Sequence, residues 1–325
     1  VTDAELRDAR SAREDELLEL VHGLQKDLAA RGERLPTGWT EEAIGDLRSG
    51  QLTGWFRPPS DAGGELGFYS RRPARGFGHV HVLPGVGAVG RTLAMMDRIA
   101  SDPPARSAPL NLGVTGLTSE DEAQLVERWP LGAGRSVTIR EGLERALDRP
   151  DLLPEEPTPK GLTPVPITAI TTESIADLDR RAFEGSVDAD LFAGDPAENQ
   201  RMIGRILEGS LGRLLEEASV GLVTRDGRLV GAVLTVELSP HIGLVADLLV
   251  DPGLRRQGLG RHLLRWTLRA LRALGHGTAR LWVTEGNRGA RALYDQLGFS
   301  VYARAVIYRQ VGAIGEVVPQ PHSVR

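Results

Sequence analysis

Cysteine is absent from the 325 residues of this chain. Its absence excludes disulfides, thiolate zinc sites and a cysteine nucleophile, and fits a reducing cytoplasm. No stretch approaches the roughly 20 apolar residues that a membrane helix needs. The opening segment, VTDAELRDARSAREDE, has no apolar core of the kind an export signal carries. Positive charge is not in excess either. The formal net charge is −5, which argues against nucleic acid as the main partner. None of the seven histidines falls in an H-E-x-x-H or similar ligand spacing, so no metal is expected. What remains is 41% hydrophobic and 26% charged, the make-up of an ordinary globular chain long enough for two domains. Both a monomer and a homodimer are compatible with it.

Leu17, Leu20, Val21, Leu24 and Leu28 recur at helical spacing among charges, predicting one amphipathic helix over residues 3–31. Between Arg149 and Pro166 there are six prolines, in RPDLLPEEPTPKGLTPVP. Such a run continues neither a helix nor a central strand, so it reads as an extended linker. The expected layout is an N-terminal helix over 1–34, a domain over 35–148, a linker over 149–164, a second domain over 165–312 and a tail over 313–325.

After the linker the expected order begins with a strand at 165–171 and helices at 172–183 and 197–211. Strands at 219–224 and 229–238 follow, joined by the hairpin signal Asp226-Gly227. Next come a strand at 243–250, a helix at 258–274, a strand at 280–284, a helix at 288–297 and a last strand at 301–308. This is a mixed α+β sheet. Before the linker the order partly repeats: strands at 51–57, 65–70 and 79–83, a helix at 88–99, a strand at 110–115, a helix at 119–129 and a closing strand at 136–140.

The segment VDPGLRRQGLGR, residues 250–261, runs from a strand through a turn with Gly258 and Gly260 into a helix. Missing side chains let a bulky anion approach the backbone, and unpaired N–H groups at a helix start point toward it. Arg255, Arg256 and Arg261 add positive charge at the same end, so a pyrophosphate is the expected ligand. A Walker lysine followed by Ser or Thr is missing, and so is the G-x-G-x-x-G spacing of dinucleotide folds.

These residues, within LLVDPGLRRQGLGRHLL, together with LWVTEGNRGARALYDQLGF downstream, resemble the GCN5-related N-acetyltransferase (GNAT) superfamily. Asn287, Ala290, Tyr294, Gly298 and Phe299 match its second pattern, and the likeness covers about residues 165–310. It implies acetyl-CoA as co-substrate and acetyl transfer to a primary amine of a small molecule, by direct attack on the thioester. Leu248, Leu249 and Val250 would offer backbone groups to the acetyl-pantetheine arm, with the N–H of Leu249 or Val250 on the thioester carbonyl. Arg255, Arg256, Gln257, Gly258, Leu259, Gly260 and Arg261 would hold the pyrophosphate, and Asn287 the pantetheine. Tyr294 would return a proton to the CoA thiolate as general acid. By spacing alone, Tyr294 also suits a core aromatic, and Asn287 a helix cap.

For the general base, Asp247 is the first choice. It lies on the strand that reaches the acetyl site, on one face with Leu249 and opposite Leu248 and Val250. Glu237 and His241, flanking the preceding turn, are its rivals. From Phe183 to Gln200 the charges are all acidic, Glu184 and Asp188 among them, which suits either a wall for a cationic amine or a solvated loop.

In the first half, HVLPGVGAVGRTL lies where LLVDPGLRRQGLGRHL lies in the second, two residues shorter where Arg255 and Arg256 stand; Ala88 faces Gly258, Gly90 and Arg91 keep their counterparts, and Thr118 and Val126 stand in place of Asn287 and Tyr294. The expected fold is therefore two GNAT-like mixed β-sheet domains flanked by helices, the N-terminal one degenerate. An unrelated α/β domain is the alternative for that half. The tandem layout is similar to that of the mycothiol synthase family, which offers one alternative activity. A non-catalytic acyl-CoA-binding regulatory module is another.

Overall fold

The computed structural model describes residues 6–30, 39–50, 52–60, 63–70, 76–83, 85–102, 110–129, 135–148, 157–192 and 196–310. The tail expected over 313–325 and residues 149–156 of the proline-rich stretch lie outside the described residues. Two compact units form: residues 1–139 with 305–325, and residues 140–304.

The first unit opens with a short strand β1 (Arg7–Asp8), after which helix α1 spans Glu14–Ala30. The single helix expected over 3–31 thus starts later, because Arg7 and Asp8 pair with Phe56 and Trp55 of strand β2 (Leu52–Arg57). Leu17, Leu20, Val21 and Leu24 are all buried, as their spacing predicts. Helix α2 (Trp39–Ser49) had no counterpart in the sequence reading. Strands β3 (Gly64–Ser70), β4 (Gly76–Leu83) and β5 (Leu110–Thr115) continue the sheet, with helix α3 (Ala88–Ala100) between the last two and α4 (Ser119–Arg128) after them. β4 and β5 pair in parallel from Gly76↔Leu110 through His81↔Thr115, almost to the end of β4.

Strand β6 (Arg135–Ala146) then runs past residue 140, where the closing strand of the first half was expected to end. Its residues 140–146 belong to the second unit and pair there with strand β12 (Thr278–Thr284). Reciprocally, residues 305–310 of the last strand, β13 (Ser300–Gln310), belong to the first unit, where 307–310 pair with β5. The unit boundaries therefore fall at 139/140 and 304/305, not within the prolines. Side-chain complementarity explains the exchange. In β6, Leu143 is fully buried in the core of the second unit and Glu144 pairs with its cross-strand neighbour Arg280 at 3.0 Å. In β13, Tyr308 packs edge-on against Trp129 at 5.4 Å in the core of the first.

The remaining elements of the second unit keep the predicted order with two additions, a short helix at 189–192 and a short strand at 213–214; the first strand lies at 162–166 and not 165–171, and the second long helix ends at Leu207 and not 211. Strand β7 (Leu162–Pro166) leads to helix α5 (Thr172–Phe183), capped by Thr171, whose hydroxyl accepts from Ser174 N–H. A short helix α6 (Ala189–Phe192) and helix α7 (Pro196–Leu207) precede strands β8 (Arg213–Leu214), β9 (Val220–Thr224), β10 (Leu229–Ser239) and β11 (Ile242–Val250). Helix α8 (Leu259–Ala273), β12 and helix α9 (Arg288–Gln296) complete it. Its sheet runs β6-β12-β11-β10-β9-β7, with only β11 and β12 parallel among these neighbours. One core packs α8 and α9 on one face, the other packs α5 and α7 on the opposite face. Among the described residues, no helix is long and apolar enough to cross a membrane.

Candidate active site

The site forms where β11 and β12 part. They pair from Ile242↔Thr278 to Val245↔Leu281 and no further, whereas β12 stays paired to β6 as far as Thr284↔Arg140. A parallel pair that opens leaves backbone groups on both edges without a sheet partner. Alternation identifies them. Asp251 N–H donates to Val230 O on the β10 side at 2.9 Å, so Val250 C=O, trans to it, points the opposite way, and Val250 N–H with it. Leu249 turns its backbone toward β10. On the facing edge, Leu147 N–H donates to Gly277 O at 2.9 Å, and Thr278 N–H donates to His241 O at 3.1 Å. Counting by twos along β12 aims Trp282 C=O into the opening. The notch thus has Val250 on one lip and Trp282 on the other.

A bulge aims the next group. The β10–β11 register passes from Leu234↔Asp247 to Thr235↔Val245, leaving Ala246 as an extra residue. Leu248 and Val250 pack with the α8–α9 core, while Leu244, Ala246 and Leu249 pack with the α5–α7 core. Asp247 is carried to the α5 side, and its carboxyl shares a hydrogen bond with Asp179. Asp179 is buried on α5 and accepts from Asn199 Nδ2 of α7. Burial, then the Asp179 charge and the shared hydrogen bond, hold Asp247 well above the ordinary carboxylate range; Leu248 N–H and Arg140 pull the other way.

Asp251 sets the turn that follows. Its Oδ1 accepts from Gly253 N–H at 3.0 Å, and its Oδ2 takes Arg181 and, at 3.2 Å, Arg228. Arg256 then adopts φ 61°, the left-handed region that side chains resist, and it is the one described non-glycine residue to do so. Gly258, at φ 87°, precedes α8. Among the described residues, the N–H groups of Gly258 through Arg261 take no backbone acceptor; the first helical bond is His262 N–H to Gly258 O, at 2.9 Å. A Cβ on Gly260 would stand 3.3 Å from Leu293 Cδ2, so this helix start lies tight against α9. Arg256 and Gln257 are exposed at the turn. Arg255 instead donates to Ala182 O in the last turn of α5, and Arg261 to Gln296 Oε1.

Tyr294 is buried against Phe299, with ring centroids 5.9 Å apart. Burial raises its pKa above the usual phenol value, Asp247 and Asp188 add to the rise, and Arg140 opposes it. Asn287 caps α9 by accepting from Ala290 N–H at 3.2 Å, and its Nδ2 donates to Asp188 at 2.9 Å. Asp188 also accepts from Thr284 Oγ1 and is buried, so it ties the α5–α7 connection to β12 and α9.

The structure thus brings Asp247, Tyr294, Asp188, Asn287 and the 248–261 segment to one place. It does not bring the others. Glu184 is exposed and pairs with Arg180 at 3.3 Å. Glu237 pairs with Arg213 near the β10–β11 turn, and exposed His241 lies in that turn, six residues before Asp247, or about 20 Å at strand rise. Two residues escaped the sequence reading. Asp179 carried a signal, a carboxylate four residues after buried Ile175 on the apolar face of α5. Arg140 carried none, because its strand was assigned wholly to the other half.

A sheet opened between its parallel strands beside a glycine-led helix start defines an acetyltransferase fold. The description "Acetyltransferase (GNAT) family" matches residues 175–299. The chain belongs to the GNAT family. A mycothiol acetyltransferase of Frankia alni is 30% identical over 240 residues, covering 70% of this chain and 68% of that protein. A mycothiol acetyltransferase of Thermomonospora curvata is 31% identical over 197 residues, covering 59% of this chain, and the match spans 62% of that protein, less than two thirds of its length. A tandem GNAT protein from the clavulanic acid biosynthesis pathway has the same fold, with a TM-score of 0.57 and 20% identity, covering 98% of this chain and 99% of that one.

Proposed function

We propose that the second unit binds acetyl-CoA and transfers its acetyl group to a primary amine of a small molecule, by direct attack on the thioester. The observation that carries this reading is the β11–β12 notch, continuous with the N–H groups of Gly258 through Arg261, which have no backbone acceptor. A pantetheine arm has amides to fill the first, and its pyrophosphate suits the second. The left-handed backbone at Arg256 is strain kept where a ligand is gripped.

In this reading the amine nitrogen attacks the carbonyl carbon while the Asp247–Asp179 pair takes its proton. Val250 N–H donates to the oxygen as charge develops there. The C–S bond then breaks, and the thiolate takes the phenol proton of Tyr294, which burial keeps protonated at neutral pH. Leu248, of the same parity as Val250, frames the arm, whereas Leu249, with its backbone turned to β10 and its side chain buried in the α5–α7 core, does not. Asn287 has its two amide ends committed to the cap and to Asp188, so its part is to hold the notch in shape.

The first unit keeps the layout without the notch, since β4 and β5 stay zipped through His81↔Thr115. That supports a degenerate domain with no transfer of its own. The acceptors acted on by the relatives named mycothiol acetyltransferase are the first amines to try.

Calorimetry of the full chain with CoA, followed by amine-dependent release of CoA thiol from acetyl-CoA, tests the reading. Saturable CoA binding and thiol release that needs an amine are expected. Binding without release under any amine would make the unit an acyl-CoA sensor, and no binding at all would end the reading.

A further inference from the structure

Arg140 is placed in the second unit by the strand exchange. Its Nη2 donates to Trp282 O at 3.1 Å, and its guanidinium lies 5.0 Å from the centroid of the Phe192 ring. Trp282 C=O points into the notch between β12 and β11, so an arginine bound to that oxygen has its head group in the notch. Phe192 belongs to α6, on the face where Asp247 meets Asp179. The Nε of Arg140 is buried and has no hydrogen-bond partner among the described residues. Leaving such a donor unsatisfied is costly, and more so on a cation. The same charge is felt by Asp247, by Tyr294 and by Asp188. Burial lowers the arginine's pKa, but guanidinium starts high enough to remain charged.

The reacting carbon has to sit between the base and the acid, and this cation neighbours both. We propose that Arg140 is a catalytic residue: its Nε is a second donor, with Val250 N–H, to the oxygen of the acetyl thioester as that oxygen becomes an oxyanion. The inference rests on the acetyl-CoA reading above. When the amine lone pair forms the C–N bond, the carbonyl π pair moves onto oxygen, where the two donors receive it. When the carbonyl re-forms, the C–S pair leaves on sulfur and takes the Tyr294 proton. Arg140 gains and loses no proton in either step. The notch so built has a backbone donor on its β11 lip and a side-chain donor beside its β12 lip.

The test compares wild type with Arg140→Met by calorimetry, using CoA and S-carboxymethyl-CoA, whose carboxylate places negative charge one bond beyond the carbonyl position, within reach of the same donors. The variant should bind CoA within about twofold of wild type and lose S-carboxymethyl-CoA affinity by about tenfold or more, the scale of one charge-assisted bond. Its kcat should fall about a hundredfold with the acetyl-CoA KM little changed. If Arg140→Met does not fold, Arg140→Lys gives the same comparison, since lysine keeps the charge but has no donor at the Nε position. Equal loss of affinity for both ligands would make Arg140 structural, and unchanged affinity for both, or a rise in KM alone, would overturn the oxyanion role. Failure of wild type to bind CoA would instead strike the acetyl-CoA reading itself.

Discussion

Asp247 on β11 shares a hydrogen bond with Asp179 on α5, two carboxyls from different layers of one unit meeting across a bulge. If Asp247 is the general base of the proposed reaction, the pair sets it to work above the pH range of ordinary carboxylates. Asp247 must be ionised to take the amine proton, and its pKa is raised first by burial and then by Asp179. Activity therefore rises with pH through an acid limb lying above the usual aspartate range. Asp179→Asn removes the like charge, so that limb moves to lower pH. Asp247→Asn lowers kcat/KM by about 10²- to 10⁴-fold, the usual contribution of a general base, and removes the limb. A pH–rate series on both variants checks this; limbs unmoved in both exclude the pair as the base.

Tyr294→Phe keeps the ring packing against Phe299 and removes only the proton donor. It should cost about a hundredfold in kcat with little change in the acetyl-CoA KM. Because the phenol pKa is raised, no loss of activity from its ionisation is expected up to the ordinary phenol range. Steady-state kinetics with wild-type rates for the variant would remove the acid role.

Gly258→Ala puts a side chain at φ 87°, which costs about 1–2 kcal/mol in backbone strain although no atom lies within 4 Å of the new Cβ. The loop is expected to relax away from the conformation that aims its N–H groups at one point. Calorimetry should show weaker CoA binding, while the melting temperature in the absence of CoA falls by only a few degrees. Equal CoA affinity in the variant contradicts the phosphate-grip assignment.

Leu143 lies before the prolines yet is fully buried in the core of the second unit. Leu143→Ala should destabilise that unit by about 2–5 kcal/mol. Hydrogen exchange then speeds up in β12 amides 278–284 and not in β5, the result that separates the exchanged strand from a strand serving its own half. Faster exchange confined to β5 would contradict the pairing.

Local signals were legible and distant partnerships were not. Asp226-Gly227 announces the β9–β10 hairpin, and Thr171 caps α5, which begins and ends where the apolar spacing places it. The glycine turn before α8 was readable because Gly258 acts on its own backbone, at φ 87°. The exchange was invisible because an alternating strand fits any sheet edge, and only the match of Glu144 to Arg280 and of Tyr308 to Trp129 selects the partner. For the same reason the sequence offered Asp247 but neither Asp179 nor Arg140: one lies on a helix that meets it across the sheet, the other on a strand more than a hundred residues earlier.

Cutting the gene at the prolines would not yield a free-standing catalytic half. A fragment starting there carries β12 with a bare rim of N–H and C=O groups where β6 belongs, a template for joining other copies edge to edge. It also lacks the guanidinium at Trp282 O. Splitting the chain, and shuffling its halves among relatives, is therefore penalised in solubility before chemistry is reached, and a workable recombination point lies ahead of residue 140 instead.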